Sequence, residues 1–204
     1  MTEKEKSTEE HILDAAKKVF LQKGFDGARM QEIADEAGIN KALLHYYFRS
    51  KEKMFQSVFT EAFQDFLPRV GEAIESDMPL FEKIRIFVDS YITMLSNNPH
   101  LPIFILAEIN RNPEVILGSF REAGVRPESI VKSIIEEINL GRVRPVNPKH
   151  LIVNMIGLCI FPFIGKPILM NILFDNDPEK YKGFLEERKN EVTTFIIKSI
   201  AVKS

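Results

Sequence analysis

The 204-residue chain has one cysteine and no tryptophan. A single thiol, Cys159, excludes an intramolecular disulfide and a cysteine-rich zinc centre. Its place in an apolar run is that of a buried free thiol. Charge of one sign is missing too: 27 basic residues face 29 acidic ones, so the chain as a whole is not the polycation that marks many nucleic-acid binders. Alternating runs of strand type are scarce, and the 11 prolines and 10 glycines sit singly between periodic blocks, without repeats. The opening Met-Thr-Glu-Lys-Glu-Lys lacks an apolar signal region, which makes the cytoplasm the expected compartment. Catalytic signatures are also lacking. No nucleophile–base pair, phosphate loop, pair of catalytic carboxylates or metal-ligand cluster is visible, and His11, His45, His100 and His150 are scattered. Neither an enzyme nor a bound cofactor or metal is expected.

What is present is helical periodicity. Apolar residues recur at spacings of three and four, so the fold class is all-α. A first helix starts at Ser7 or Thr8, with Glu9 and Glu10 in its first turn, Ile12, Ala16, Val19 and Phe20 inward, and Gly24 at its end. A second runs from about Met30 to Ala37. Asn40 caps a third that reaches Phe48, and Ser50 caps a fourth that reaches Phe66 or beyond. Prolines then divide the chain into helical blocks at Leu80–Asn97, Ile103–Asn110, Glu114–Ala123, Glu128–Leu140, Lys149–Phe174 and Glu179–Val202. That makes about ten helices. The stretch from Leu151 to Phe174 is long enough to span a bilayer. It holds Lys166, Pro162 and Pro167 and has no counterpart elsewhere, so a helix covered on nearly every side is expected, not a membrane segment.

The segment Met30–Phe48, MQEIADEAGINKALLHYYF, has its own logic. Two short helices crossing steeply need a turn residue without a side chain, which Gly38 supplies. Ile33, Ile39, Leu44 and Phe48 make a small core. Lys41, Ala42, His45, Tyr46 and Tyr47 are left on the outward arc of a two-turn helix, whose size suits a DNA major groove. Between Ile39 and Lys53, the cations Lys41, Arg49, Lys51 and Lys53 face only Glu52, a modest footprint for phosphate. On these grounds alone, a helical hairpin with a glycine turn and no nucleic-acid role explains the segment equally well.

Residues from about 10 to 55 resemble the DNA-binding domain of the TetR/AcrR family of bacterial transcriptional regulators. The likeness rests on the apolar first helix ending in Gly24-Phe25, on IADEAGI, and on Leu44, Tyr47-Phe48 and Lys51-Glu52. The family pattern after the turn is Ser-x-Gly-x-Leu-Tyr-x-Tyr-Phe-x-x-Lys-Glu. Here Asn40 replaces the serine, Ala42 the glycine and His45 the first tyrosine. The first exchange keeps a capping side chain; the other two fall on base-facing positions and bear on operator sequence. The resemblance implies that Lys41, Ala42 and His45 face base edges, with Gln31 joining them. It implies phosphate contacts for Tyr47, Lys51 and Arg29, with Tyr46 at the backbone or packed locally.

The resemblance further implies a DNA-binding domain over residues 1–50 and a helical ligand-binding and dimerisation domain over 51–204. The partners are then a double-stranded DNA operator, a small hydrophobic ligand and a second copy bound through residues 149–202. Thirteen of the 16 phenylalanines follow residue 50. Candidate pocket residues are therefore Phe59, Phe63, Phe66, Phe87, Tyr91 and Met94 in the first half of that domain, and Phe104, Phe120, Met155, Cys159 and Phe163 in the second. Glu108, His100 and Asn154 are candidate polar anchors. The expected function is a regulator, a repressor in its usual mode, that releases a palindromic operator when ligand binds.

Overall fold

The computed structural model describes residues 7–98, 101–111, 113–122 and 126–202, and among them the chain is helical apart from one isolated bridge between Val143 and Ala201. Twelve helices follow one another: α1 (Thr8–Gly27), α2 (Met30–Glu36), α3 (Lys41–Tyr47), α4 (Lys51–Phe63), α5 (Phe66–Glu75), α6 (Leu80–Asn97), α7 (Leu101–Arg111), α8 (Pro113–Glu122), α9 (Pro127–Asn139), α10 (Pro148–Ile164), α11 (Lys166–Leu173) and α12 (Pro178–Ile200). They form two compact units. One comprises residues 1–63 with 103–123, the other 64–102 with 124–204. The sequence boundary after residue 50 falls between α3 and α4, inside the first unit.

The helix starts are written in side chains. Ser7 accepts the Glu10 N–H at 3.2 Å while the Glu10 carboxylate takes the Ser7 N–H at 2.8 Å, a complete capping box. Asn40, Asn147 and Asp177 each accept an N–H from the first turn of α3, α10 and α12. Prolines open α8, α9, α10 and α12, where a missing N–H costs nothing.

Two elements depart from the sequence expectation, and proline accounts for both. The fourth helix does not run on past Phe66: α5 starts there as a separate helix with Pro68 as its third residue. Pro68 has no N–H to give the Gln64 carbonyl, so the ladder breaks there. The long apolar block is likewise two helices, α10 and α11, bent by 72°. Pro167 cannot donate to the Phe163 carbonyl, and the chain turns at Gly165. A side chain there would meet the Phe161 carbonyl at 3.1 Å and its ring at 3.3 Å. Among the described residues no single helix is long and apolar enough to cross a membrane.

Within the first unit, α1 packs on α2 and α4, α2 on α3, and α4 on α8. Phe20, Phe25, Phe55 and Phe104 interlock with ring centroids 5.1–6.4 Å apart. Within the second unit α6 is the axis, in contact with α5, α9, α10 and α12. Its buried residues include Ile84, Val88, Ile92 and Leu95, a stripe repeating every three to four residues.

Gly38 is the turn residue on which the first unit's geometry rests. Its φ of 65° lies in the left-handed region. The Ile39 N–H returns to the Ala34 carbonyl at 3.0 Å and the Gly38 N–H to the Asp35 carbonyl at 3.1 Å, a Schellman motif closing α2. No atom lies within 4 Å of where a Cβ would stand, so backbone conformation alone selects glycine. Gly38→Ala is expected to lower stability by about 1 kcal/mol in urea unfolding. Gly71→Ala, inside α5 with equally open space, is expected to raise it by up to about 1 kcal/mol. Equal effects of the two would contradict the assignment.

Candidate nucleic-acid interface and apolar cleft

The outward arc of α3 is built by subtraction. Leu44 is fully buried and Phe48 nearly so, which anchors one side of the helix. Lys41, Ala42, His45, Tyr46 and Tyr47 are all exposed on the remainder. Tyr46 is 79 % exposed and Tyr47 38 %, their rings meeting edge-on at 5.4 Å. Among the described residues, Lys41, Arg49 and Lys53 pair with no carboxylate. Lys17, Lys18 and Lys23 instead pair with Glu61, Glu36 and Glu32 at 2.7, 3.0 and 2.9 Å and tie α1 to α4 and α2. The Lys23 ammonium, together with the Arg29 N–H, holds the Glu32 carboxyl below its usual range. Lys41, Arg49 and Lys53 thus lie along α3 and the start of α4 without carboxylate partners.

The remaining candidates lie close by. Gln31 is exposed on α2 and donates to Asp35 at 2.8 Å, and Arg29 is exposed just before α2. Lys51 sits differently. Its ammonium donates to the carbonyls of Asp26 and Ala28 at 3.3 and 3.2 Å and lies 4.5 Å above the Phe25 ring. It fastens the end of α1 to α4, a role that the sequence pattern does not reveal.

The candidate pocket residues are distributed over both units. Phe59, Phe63 and Phe120 stack together at 4.4–5.7 Å in the first, and Phe104 joins the cluster around Phe55. In the second, Phe66, Phe87 and Tyr91 form a ring cluster at 5.3–5.9 Å, while Met94, Met155, Cys159 and Phe163 are buried. Asn154 is exposed on α10. The Glu108 side chain and His100 lie outside the described residues.

The second unit contains a cleft of about 90 Å³ that opens to solvent at its mouth. Val70 and Ile74 of α5, Leu80, Lys83, Ile84 and Phe87 of α6, Ile130, Ser133 and Ile134 of α9, and Leu151, Ile152, Met155 and Ile156 of α10 line it. Of the candidates only Phe87 and Met155 are there. The rest of the apolar wall is branched aliphatic. Its signal was in the sequence: Leu80, Ile84 and Phe87 share one face of α6, and the spacing puts Lys83 on it too.

A helix-turn-helix whose second helix offers an exposed, cation-flanked arc defines a DNA-binding regulator. Residues 12–58 match the family of bacterial regulatory proteins called the tetR family. The Probable HTH-type transcriptional regulator YttP of Bacillus subtilis (strain 168) is 26 % identical over 188 residues, 90 % of this chain and 91 % of its own. The hemolysin II transcriptional regulator HlyIIR shares the fold at 25 % identity and a TM-score of 0.64, covering 96 % of this chain and 98 % of its own. AibR, solved in complex with isovaleryl coenzyme A and operator DNA, superposes with a TM-score of 0.59 at 17 % identity over 77 % of this chain and 86 % of its own. Residues 12–58 thus form a DNA-binding domain of the tetR family type, and YttP, which the chain matches along nearly its whole length, is a probable transcriptional regulator.

Cys159 is fully buried on α10. Burial pushes its thiol up to about 12, against a smaller opposing pull from Arg188. At pH 8 that leaves a thiolate fraction of about 10⁻⁴, against roughly a quarter for a free cysteine. Alkylation by iodoacetamide at pH 8 should therefore be about a thousandfold slower than in 6 M guanidinium. Comparable rates in both would show that the thiol is accessible.

Proposed function

We propose that the protein is a ligand-responsive repressor. As a homodimer it occupies a palindromic operator, and it releases that operator when a small hydrophobic molecule enters the cleft between α5, α6, α9 and α10. The observation that carries the DNA half is the exposed arc of α3. In this reading Lys41, Ala42 and His45 meet base edges, a lysine donating to guanine and an alanine methyl meeting a thymine methyl. Gln31 joins from α2. Tyr47, Arg29 and Tyr46 meet the backbone, and Lys51 reaches phosphate with the one N–H its two carbonyl partners leave. The cleft is the natural site for the ligand because it is concave, apolar and held within one unit. Ligand and operator oppose each other by favouring different spacings of the two reading heads. AibR, a protein of this fold, was solved with both isovaleryl coenzyme A and operator DNA, so the fold accommodates the two kinds of partner.

Dimerisation through residues 149–202 is supported by an uncovered apolar face. Val153, Ile156 and Phe161 of α10, Ile168, Ile172 and Leu173 of α11, and Phe195 of α12 are all exposed; Ile172 is 70 % and Phe195 64 % accessible. A patch of this kind on a lone subunit marks an interaction surface. Selection of bound sequences from a random duplex library is expected to enrich a palindrome. Lys41→Ala should then weaken that site by about 1–3 kcal/mol and relax one position in it, while Tyr47→Phe weakens all sequences alike. Failure to enrich any site at low salt would refute DNA reading. Phe161→Glu combined with Phe195→Glu should yield a monomer by light scattering and lose the palindrome. A double variant that remains dimeric would move the interface elsewhere.

A further inference from the structure

The cleft has one feature that a generic hydrophobic pocket does not need. Among its lining residues only Lys83 and Ser133 have polar side chains, and Lys83 alone is charged. The Lys83 ammonium is half-buried and donates to the Ile74 carbonyl at 2.9 Å and to the Ser133 hydroxyl at 3.1 Å. Among the described residues no carboxylate pairs with it. An ammonium has three N–H donors, so one is left after these two bonds. A cation in an apolar wall with only neutral acceptors is incompletely compensated, and a charged acceptor would relieve it further. Ser133 uses an oxygen lone pair to receive Lys83, which leaves its own O–H free to donate. Two donors therefore converge at one place in a wall otherwise made of Ile, Leu, Val, Met and Phe side chains.

Resting on the reading of this cleft as the ligand site, the geometry points to a ligand class: a single-chain aliphatic molecule with one anionic head, a carboxylate. Lys83 is its counter-ion and Ser133 its second hydrogen-bond donor. The aliphatic chain lies against Ile84, Ile134 and Met155. A neutral alcohol of equal length gains the same apolar contact and lacks the charge-assisted bond, which is worth about tenfold or more in affinity. A cationic amphiphile is repelled.

Lys83 also caps the carboxyl end of α5 through Ile74, so a loss of stability on its replacement would not by itself speak for ligand recognition. The test therefore compares head groups. Decanoate, 1-decanol and decyltrimethylammonium are titrated into the full-length dimer and its variants by calorimetry at pH 7.5. Wild type is expected to bind decanoate about tenfold or more tightly than decanol, and the ammonium compound not at all. Lys83→Met should bring decanoate down to the level of decanol, with decanol little changed. Lys83→Arg should restore the preference. Equal affinities for decanoate and decanol in wild type, or a preference for decanoate that survives Lys83→Met, would overturn the inference while leaving the cleft as the site. Ile130→Trp, a half-buried lining position, separates the two readings. If it leaves decanoate and decanol binding unchanged in a protein that still binds DNA, the cleft is not the ligand site and the inference falls with it.

Discussion

A fold of twelve short helices leaves up to four N–H and four C=O groups unpaired at each helix, and each one buried without a partner is costly. How those groups are met determines where the charged side chains of this protein go. At the amino ends the answer is local: Ser7, Asn40, Asn147 and Asp177 cap, and prolines stand where no donor is required. At several carboxyl ends it is long-range, while α2 closes locally through Gly38. Lys51 takes the Asp26 and Ala28 carbonyls, Lys83 takes Ile74, and Arg144 takes Ser199. Pro162 sits inside α10 and leaves the Leu158 carbonyl without its helical donor; Arg188 of α12 supplies one at 3.2 Å. The break at Gly165 frees the Pro162 carbonyl, which accepts a hydrogen bond from the Tyr181 hydroxyl. Pro162 is thus tolerated inside α10 because α12 lies alongside and supplies the donor that the helix lacks.

The same accounting explains what could be read from the sequence. The first three helices were legible because caps and turn are local. The Ser7–Glu10 box, Gly38 and Asn40 each act within a few residues of themselves. The separate α5 and the break between α10 and α11 were not. A proline opening a helix and a proline breaking one look alike until it is known which carbonyl four residues back has lost its donor. Lys51 shows a further limit. In sequence it is a cation beside a DNA-reading helix, while in three dimensions two of its three donors hold the end of α1. Likewise a Phe-rich chain suggests an aromatic pocket, yet most of those rings are spent on packing. Phe20, Phe25, Phe55 and Phe104 stiffen the first unit, and the cleft is left to branched aliphatic residues.

On the reading helix, Ala42 and His45 depart from the family pattern while Leu44 and Phe48, which anchor the helix, keep it. Both departures fall on exposed positions, while the matches include the buried Leu44 and Phe48 and the exposed Tyr47. Buried positions answer to packing, so exchanges at exposed ones leave the helix anchored as before. Ala42 presents a methyl group and His45 an imidazole ring with two nitrogens. The exposed arc of α3 is therefore less purely hydroxyl-bearing than the family pattern.

Lys83 joins the two themes. An exposed lysine could cap α5 equally well from outside, and its long stem would allow it. Instead the spacing Leu80, Lys83, Ile84, Phe87 places it on the inward face of α6, so the cap is made from inside the apolar wall. A cap placed there carries an electrostatic cost that an exterior cap avoids. Removing the charge altogether would be simpler if the cleft served only to be filled by an uncharged molecule. Keeping a cation there is economical when it answers a charge that arrives from outside, and its bond to α5 then ties the position of a helix end to the presence of that charge. α5 in turn follows α4 after two residues.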